Sequence, residues 1–288
     1  LKKLKWFTDL EAAGFFTVES MPAIIQNANG SYRFPSWPAI EYLVKSSEYL
    51  SEYPDLIPDF LKIINSVTLK DAEAEYSNNH LLWNFSKIYR NIPFEKLSIE
   101  NIELINHWFS DIPNFDLVSD DAAQCLIKAL ETYSEDYEEN ALALLSILFD
   151  VKAGKVGFTG LPEPHINLKS HRKDKLIVTL GQLVGKNLKR KGVDLLLEKL
   201  AEVIGIRGGD EYSNIWRSAI EEHEQNGSSR DTEDLLVVVC REALVSYSAV
   251  ISEDALNTLI NNLLDHPLAI VKRLAVYTYN QYFVKAGN

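Results

Sequence analysis

The stretch from Ser252 to Phe283, SEDALNTLINNLLDHPLAIVKRLAVYTYNQYF, constrains the fold of this chain more than any other. Ala255, Leu256, Leu259, Ile260, Leu263 and Leu264 recur at the spacing of one apolar helical face. Ser252 stands where it can cap that helix. Asp265-His266-Pro267 then makes a very short turn, because proline cannot continue the first helix but suits the first turn of the next. Ile270, Val271, Leu274, Ala275, Thr278 and Tyr279 form the second face. One such hairpin cannot bury its own apolar surface, so it predicts stacked neighbours of similar length.

In these residues the hairpin resembles the HEAT and armadillo class of helical repeats. Asp265 in the turn, then Val271, Lys272, Arg273 and the small Ala275, stand in the roles of that pattern, with one residue more than usual between the Asp and the Val. The resemblance implies an architecture and no chemistry. Candidate starts of helix pairs fall near Trp37, Ser77, Ser119, Arg172, Asp210 and Ser252, at intervals of 40, 42, 53, 38 and 42 residues. A period of about 40 residues is that of HEAT or armadillo arrays. The expected fold is therefore all-α, a right-handed α-solenoid of about six antiparallel helix pairs.

Four segments follow from this reading: an aromatic N-terminal capping segment over 1–36, a first helical half over 37–151, an inserted basic loop over 152–171 and a second helical half over 172–288. Thr8-Asp9-Leu10-Glu11 reads as a capping box, and Gly14 predicts a short helix after it. Residues 1 to 60 hold 11 of the chain's 30 aromatics. They are read first as a cap over the end of the solenoid, since a terminal repeat otherwise exposes its core face, and second as a docking or base-stacking surface. The pattern Trp6-Phe7, Ala13-Gly14-Phe15-Phe16, Tyr32-Arg33, Trp37-Pro38 and Tyr42-Leu43 also resembles a stretch of large bacterial ATP-binding proteins of the STAND or antiviral-defence type. No nucleotide-binding motif accompanies it, so the resemblance implies no ATPase activity here. The chain begins at Leu1 with Met21 as its one methionine, which points to a piece of a larger protein.

The long interval between helix pairs coincides with VKAGKVGFTGLPEPHINLKSHRKDK, which has three glycines, two prolines and no helical period. From Lys152 through Lys191 ten Lys or Arg residues face two acids, Glu163 and Asp174, a local net of +8 in a chain whose formal charge is −12. Insertions in solenoids often map to the binding face. The candidate contacts are Lys169, His171, Arg172, Lys173 and Lys175 at the loop end, with Lys189, Arg190 and Lys191 at the next turn. This island could pair with acids of its own chain, such as the rim of Glu131, Glu135, Asp136, Glu138 and Glu139. It could also meet a protein partner, or contact phosphates of a nucleic acid.

Other chemistry finds little support. Gly181-Gln182-Leu183-Val184-Gly185-Lys186-Asn187 superficially resembles a phosphate loop, but three residues separate the glycines where four are required, and no Ser or Thr follows the lysine. His165 and His171 lack both the helical spacing and the cysteine neighbours of a metal site, so no metal or other cofactor is expected. Cys125 and Cys240 sit in apolar helical runs and read as reduced core residues. A HEAT-like DNA glycosylase would place Trp83 or Trp216 beside an acid in a basic groove, and the acidic net charge argues against it. No catalytic residues are expected. No run approaches 18 apolar residues, so the chain reads as cytoplasmic and not membrane-bound. The expected role is a non-catalytic interaction domain for a protein partner or a domain of its parent chain, with nucleic-acid binding as the alternative.

Overall fold

The computed structural model describes residues 4–73, 78–109, 116–156, 160–168, 174–211, 213–223, 226 and 231–286. Among these the chain is predominantly helical, with two small antiparallel strand pairs. It divides into two units, Leu1–Cys125 and Leu126–Asn288.

The first unit carries α1 (Phe7–Ala12), the short pair β1 (Ile25–Gln26) and β2 (Tyr32–Arg33), then α2 (Pro38–Ser47), α3 (Ile57–Ala72), α4 (Asn79–Asn91) and α5 (Ile99–Leu104). The expected capping box at Thr8 does not form. The first helix opens at Phe7, with Trp6 at the cap position making no side-chain bond, so Thr8 already lies inside the first turn. Packing sets that start: Phe7 is buried and stacks on Phe16 at 5.2 Å and on Phe60 at 4.8 Å. A cap worth about 1 kcal/mol yields to the burial of a whole ring, worth roughly 1.5–3 kcal/mol. Gly14, at φ +78°, ends the segment as expected of a residue free to adopt positive φ.

A capping box does form at Ser98, where Asn101 takes the place usually held by Glu or Gln. Asn78 caps α4 by accepting from the Leu81 N–H at 3.2 Å. The aromatics of the first sixty residues divide: Phe7, Phe16, Trp37 and Phe60 are core, whereas Trp6 and Phe15 are exposed. Trp108 closes the other end of this core, its indole N–H donating to Thr68 Oγ1 at 3.1 Å and its ring meeting Tyr89 edge-on at 4.7 Å. The next helix, α6 (Asp116–Glu131), contains the division between the units.

The second unit continues with α7 (Glu138–Leu148), β3 (Val151–Val156), β4 (Pro162–Ile166), α8 (Asp174–Leu183), α9 (Lys189–Ile206), the single turn α10 (Ser213–Trp216), α11 (Asp231–Ser248), α12 (Glu253–Leu264) and α13 (Ala269–Ala286). Helix α11 is its hub. Leu235, Leu236, Val237, Val239, Cys240, Ala243 and Leu244 are all buried, and α8, α9 and α13 pack around it. Buried Cys240 carries a thiol whose pKa burial pushes far up, so it behaves as an inert core group.

Part of the segment read as a loop is an antiparallel hairpin, with Val151 opposite Ile166 and Lys152 opposite His165. Glycine and proline hid its alternation. Gly154 is required there, because a Cβ would lie 2.4 Å from the Glu163 carbonyl oxygen. Leu168 N–H donates to Leu148 O at 2.8 Å and the Asn167 amide to Ile147 O at 2.7 Å, tying the hairpin to the end of α7.

Of the expected pair starts, Trp37 precedes α2 and Ser252 caps α12 by accepting from Ala255 N–H. Ser119 is buried inside α6, and Ser77 and Arg172 lie outside the described residues. Asp210 precedes one helical turn instead of a helix pair. Its carboxylate does other work, accepting at 2.8 Å from the Ile270 N–H in the first turn of α13. That satisfies one of the donors a helix start leaves open. Among the described residues no helix is long and apolar enough to cross a membrane.

Candidate binding surface

Four of the eight candidate contacts, Lys169, His171, Arg172 and Lys173, lie outside the described residues. Lys175 is exposed in the first turn of α8, and Lys189, Arg190 and Lys191 open α9. The corner between these helices is built by two glycines. Gly181 and Gly185, four residues apart, share one helical face and lie against α11. A Cβ on Gly181 would fall 2.7 Å from Glu242 Cβ and 2.8 Å from the Val239 carbonyl oxygen; on Gly185 it would fall 2.0 Å from the Ala243 carbonyl oxygen. The phosphate-loop lookalike is therefore a close helix crossing.

Gly185 already belongs to a π turn over Val184–Leu188, where the helix widens, pinned by the Asn187 amide donating to Leu130 O at 2.7 Å. Lys189 then takes φ +51° and ψ −134°, and α9 departs in a new direction. It is the positive-φ non-glycine position among the described residues. Such a backbone costs a side-chain-bearing residue about 1–3 kcal/mol.

Local acids take up two of the corner's cations. Arg190 Nε donates to both oxygens of Asp194, at 2.6 and 2.7 Å. Lys191 Nζ pairs with Glu138, a member of the acidic rim, and the Tyr133 hydroxyl donates to the same carboxylate at 2.6 Å. The bond from Lys191, then that from Tyr133, holds the Glu138 carboxyl below its ordinary range, and Glu138 raises Lys191 in return. Burial, reinforced by Glu138, pushes the Tyr133 phenol well up. The basic island is thus partly neutralised by its own chain. Lys175, Lys186 and Lys189 remain exposed.

A second set of cations escaped the sequence reading. Arg217 and Arg241 are 2% and 5% exposed. Arg217 pairs with Asp234 at 3.3 Å and Arg241 with Glu242 at 2.9 Å, while both donate to the Ile220 carbonyl and to Glu222. Arg273 donates to the carbonyls of Ser213 and Ser218, at 3.2 and 2.9 Å. Arg207 Nε lies 3.0 Å from the fully buried Glu233, an ion pair by distance whose N–H does not point at that oxygen. Arg217, Arg241 and Arg273 together hold the irregular stretch after α10 against α11 and α13. The sequence carried one signal, a lone arginine inside the apolar run LLVVVCREALV.

Among the described residues no group of three or more His, Cys, Asp or Glu side chains is arranged to hold a metal ion. Comparison with protein-family models, with curated proteins and with solved structures finds no match to this chain.

Proposed function

We propose that this chain is a non-catalytic helical-repeat interaction domain that binds a protein partner or another domain of a larger bacterial parent protein. The observation that carries this reading is the outer face of α13. Residues 274–284 contain no charged side chain, and Val276, Tyr279, Phe283 and Val284 are 51%, 38%, 43% and 61% exposed. On a chain of net charge −12, an uncharged aromatic stripe at helical spacing is the surface suited to meet another protein. The α12–α13 hairpin, with its serine cap and Asp-His-Pro turn, supports a HEAT- or armadillo-like right-handed solenoid of about six pairs, for which we propose a cytoplasmic setting. The stacked aromatics around Phe7 support a terminal cap, and the N-terminal resemblance is the support for a neighbouring STAND-type or defence ATP-binding module.

The competing reading, nucleic-acid binding through Lys175, Lys186 and Lys189, rests on the exposure of those three side chains. Fluorescence anisotropy with short single- and double-stranded DNA and RNA, from low to physiological salt, separates the two. The protein-binding reading expects no tight, steeply salt-dependent association, and expects a photo-crosslinker at position 283 to capture a defined partner that Val276→Asp releases. Tight binding to nucleic acid with a steep salt slope would overturn it.

A further inference from the structure

The buried arginines point to a function separate from the α13 face. Arg217 Nη2 donates to Ile220 O at 3.1 Å and to Glu222 Oε1 at 3.3 Å; Arg241 Nη1 donates to the same two atoms at 2.9 and 3.0 Å. Two desolvated guanidiniums from different elements therefore converge on a single carboxylate oxygen. That carboxylate differs from the others in the network. The side chains of Asp234 and Glu242 are each 18% exposed, as befits fixed countercharges, whereas Glu222 is 70% exposed.

Charge within the cluster sharpens the contrast. Arg217 has Asp234 and Arg241 has Glu242, while among the described residues no carboxylate lies within ion-pair distance of Arg273, whose pKa burial, then the field of Arg217, lowers. Without Glu222 the N–H groups that Arg217 and Arg241 aim at this point would share the Ile220 carbonyl alone. Arg217 Nε is also buried and meets no acceptor among the described residues. Forked N–H groups on buried guanidiniums are the arrangement that recognises phosphate and carboxylate oxygens.

We propose that Arg217 and Arg241 form an oxyanion subsite for the phosphoryl or carboxylate group of a ligand, in which the solvent-facing Glu222 carboxylate sits as an intramolecular stand-in. Glu222 lies in the irregular stretch between α10 and α11, so it can leave without unwinding a helix.

The test is chemical rescue of Glu222→Ala and Glu222→Gln, with inorganic phosphate or acetate added at constant ionic strength against chloride. Both variants are expected to unfold about 2–4 °C below the parent protein, the shift that follows from roughly 1 kcal/mol in a unit of this size. Phosphate or acetate restores the midpoint saturably in the variants and leaves the parent unchanged. Recovery by phosphate alone assigns a phosphoryl ligand, and recovery by acetate assigns a carboxylate. Adding Arg217→Lys to either variant abolishes the recovery. Variants that stay folded and respond to neither anion beyond the chloride control would overturn the proposal, as would a recovery that persists with Arg217→Lys.

Discussion

The corner between α8 and α9 and the network around α11 both gather cations, and they do so under opposite conditions. At the corner, Arg190 and Lys191 stand in water and each meets one nearby acid. Around α11, Arg217 and Arg241 are stripped of water and must satisfy nearly every N–H from carbonyls and carboxylates. Exposed pairs of the first kind contribute about 0–1 kcal/mol, while breaking a buried pair of the second kind costs about 3–5 kcal/mol. The conspicuous charge run in the sequence is thus the weaker of the two, and the scattered single arginines are the stronger.

Removing one buried guanidinium should have the largest effect. Arg241→Leu takes the guanidinium from Glu242 and leaves Glu222 and the Ile220 carbonyl to Arg217 alone, and urea unfolding should show a loss of about 3–5 kcal/mol. A loss under 1 kcal/mol would erase the distinction between the regions. At the corner, the backbone should matter more than charge. Gly185→Ala drives a methyl group into the Ala243 carbonyl and should cost about 3 kcal/mol in the same assay. Lys189→Gly should act in the other direction, stabilising by about 0.5–1 kcal/mol by relieving the positive φ, despite the loss of a cation.

Smallest of all, Lys191→Met should leave the urea midpoint near neutral pH almost unmoved and should flatten one part of the pH profile. The folded Glu138 carboxyl is held below its unfolded value, so its contribution is present above the ordinary carboxylate range and is lost as pH falls through the folded value. Acid titration of stability in parent and variant should differ in that window alone.

What could be read in advance follows the range of the physics involved. The α12–α13 hairpin was legible because its cap, turn proline and apolar period are all local, and the Ser252 bond to Ala255 N–H is the result. The Thr8 box failed because a local signal met a long-range one, the stacking of Phe7 on Phe60 across more than fifty residues. The Ser98 box went unread because Asn101 performs the part of a glutamate. The β3–β4 pairing was masked by the glycine and prolines that shape it. Of the candidate contacts, the sequence located the basic corner and one rim acid that answers it, Glu138. It gave no notice of Arg217 and marked Arg241 only as a lone arginine in an apolar run; their meeting point at Glu222 depends on a chain path that no local pattern encodes.

The glycine crossing has a mechanical consequence. Where most helices touch through a layer of side chains that can slip between rotamers, α8 and the π turn that follows it meet α11 with backbone close to backbone at Gly181 and Gly185. Such a joint has no lubricating layer. Helices so joined are expected to move as one strut, so that a displacement at the Lys189 corner should carry α11 with it. Amide exchange along Leu180–Leu188 and Val239–Leu244 should accordingly slow and quicken together, as the signature of a single rigid lever.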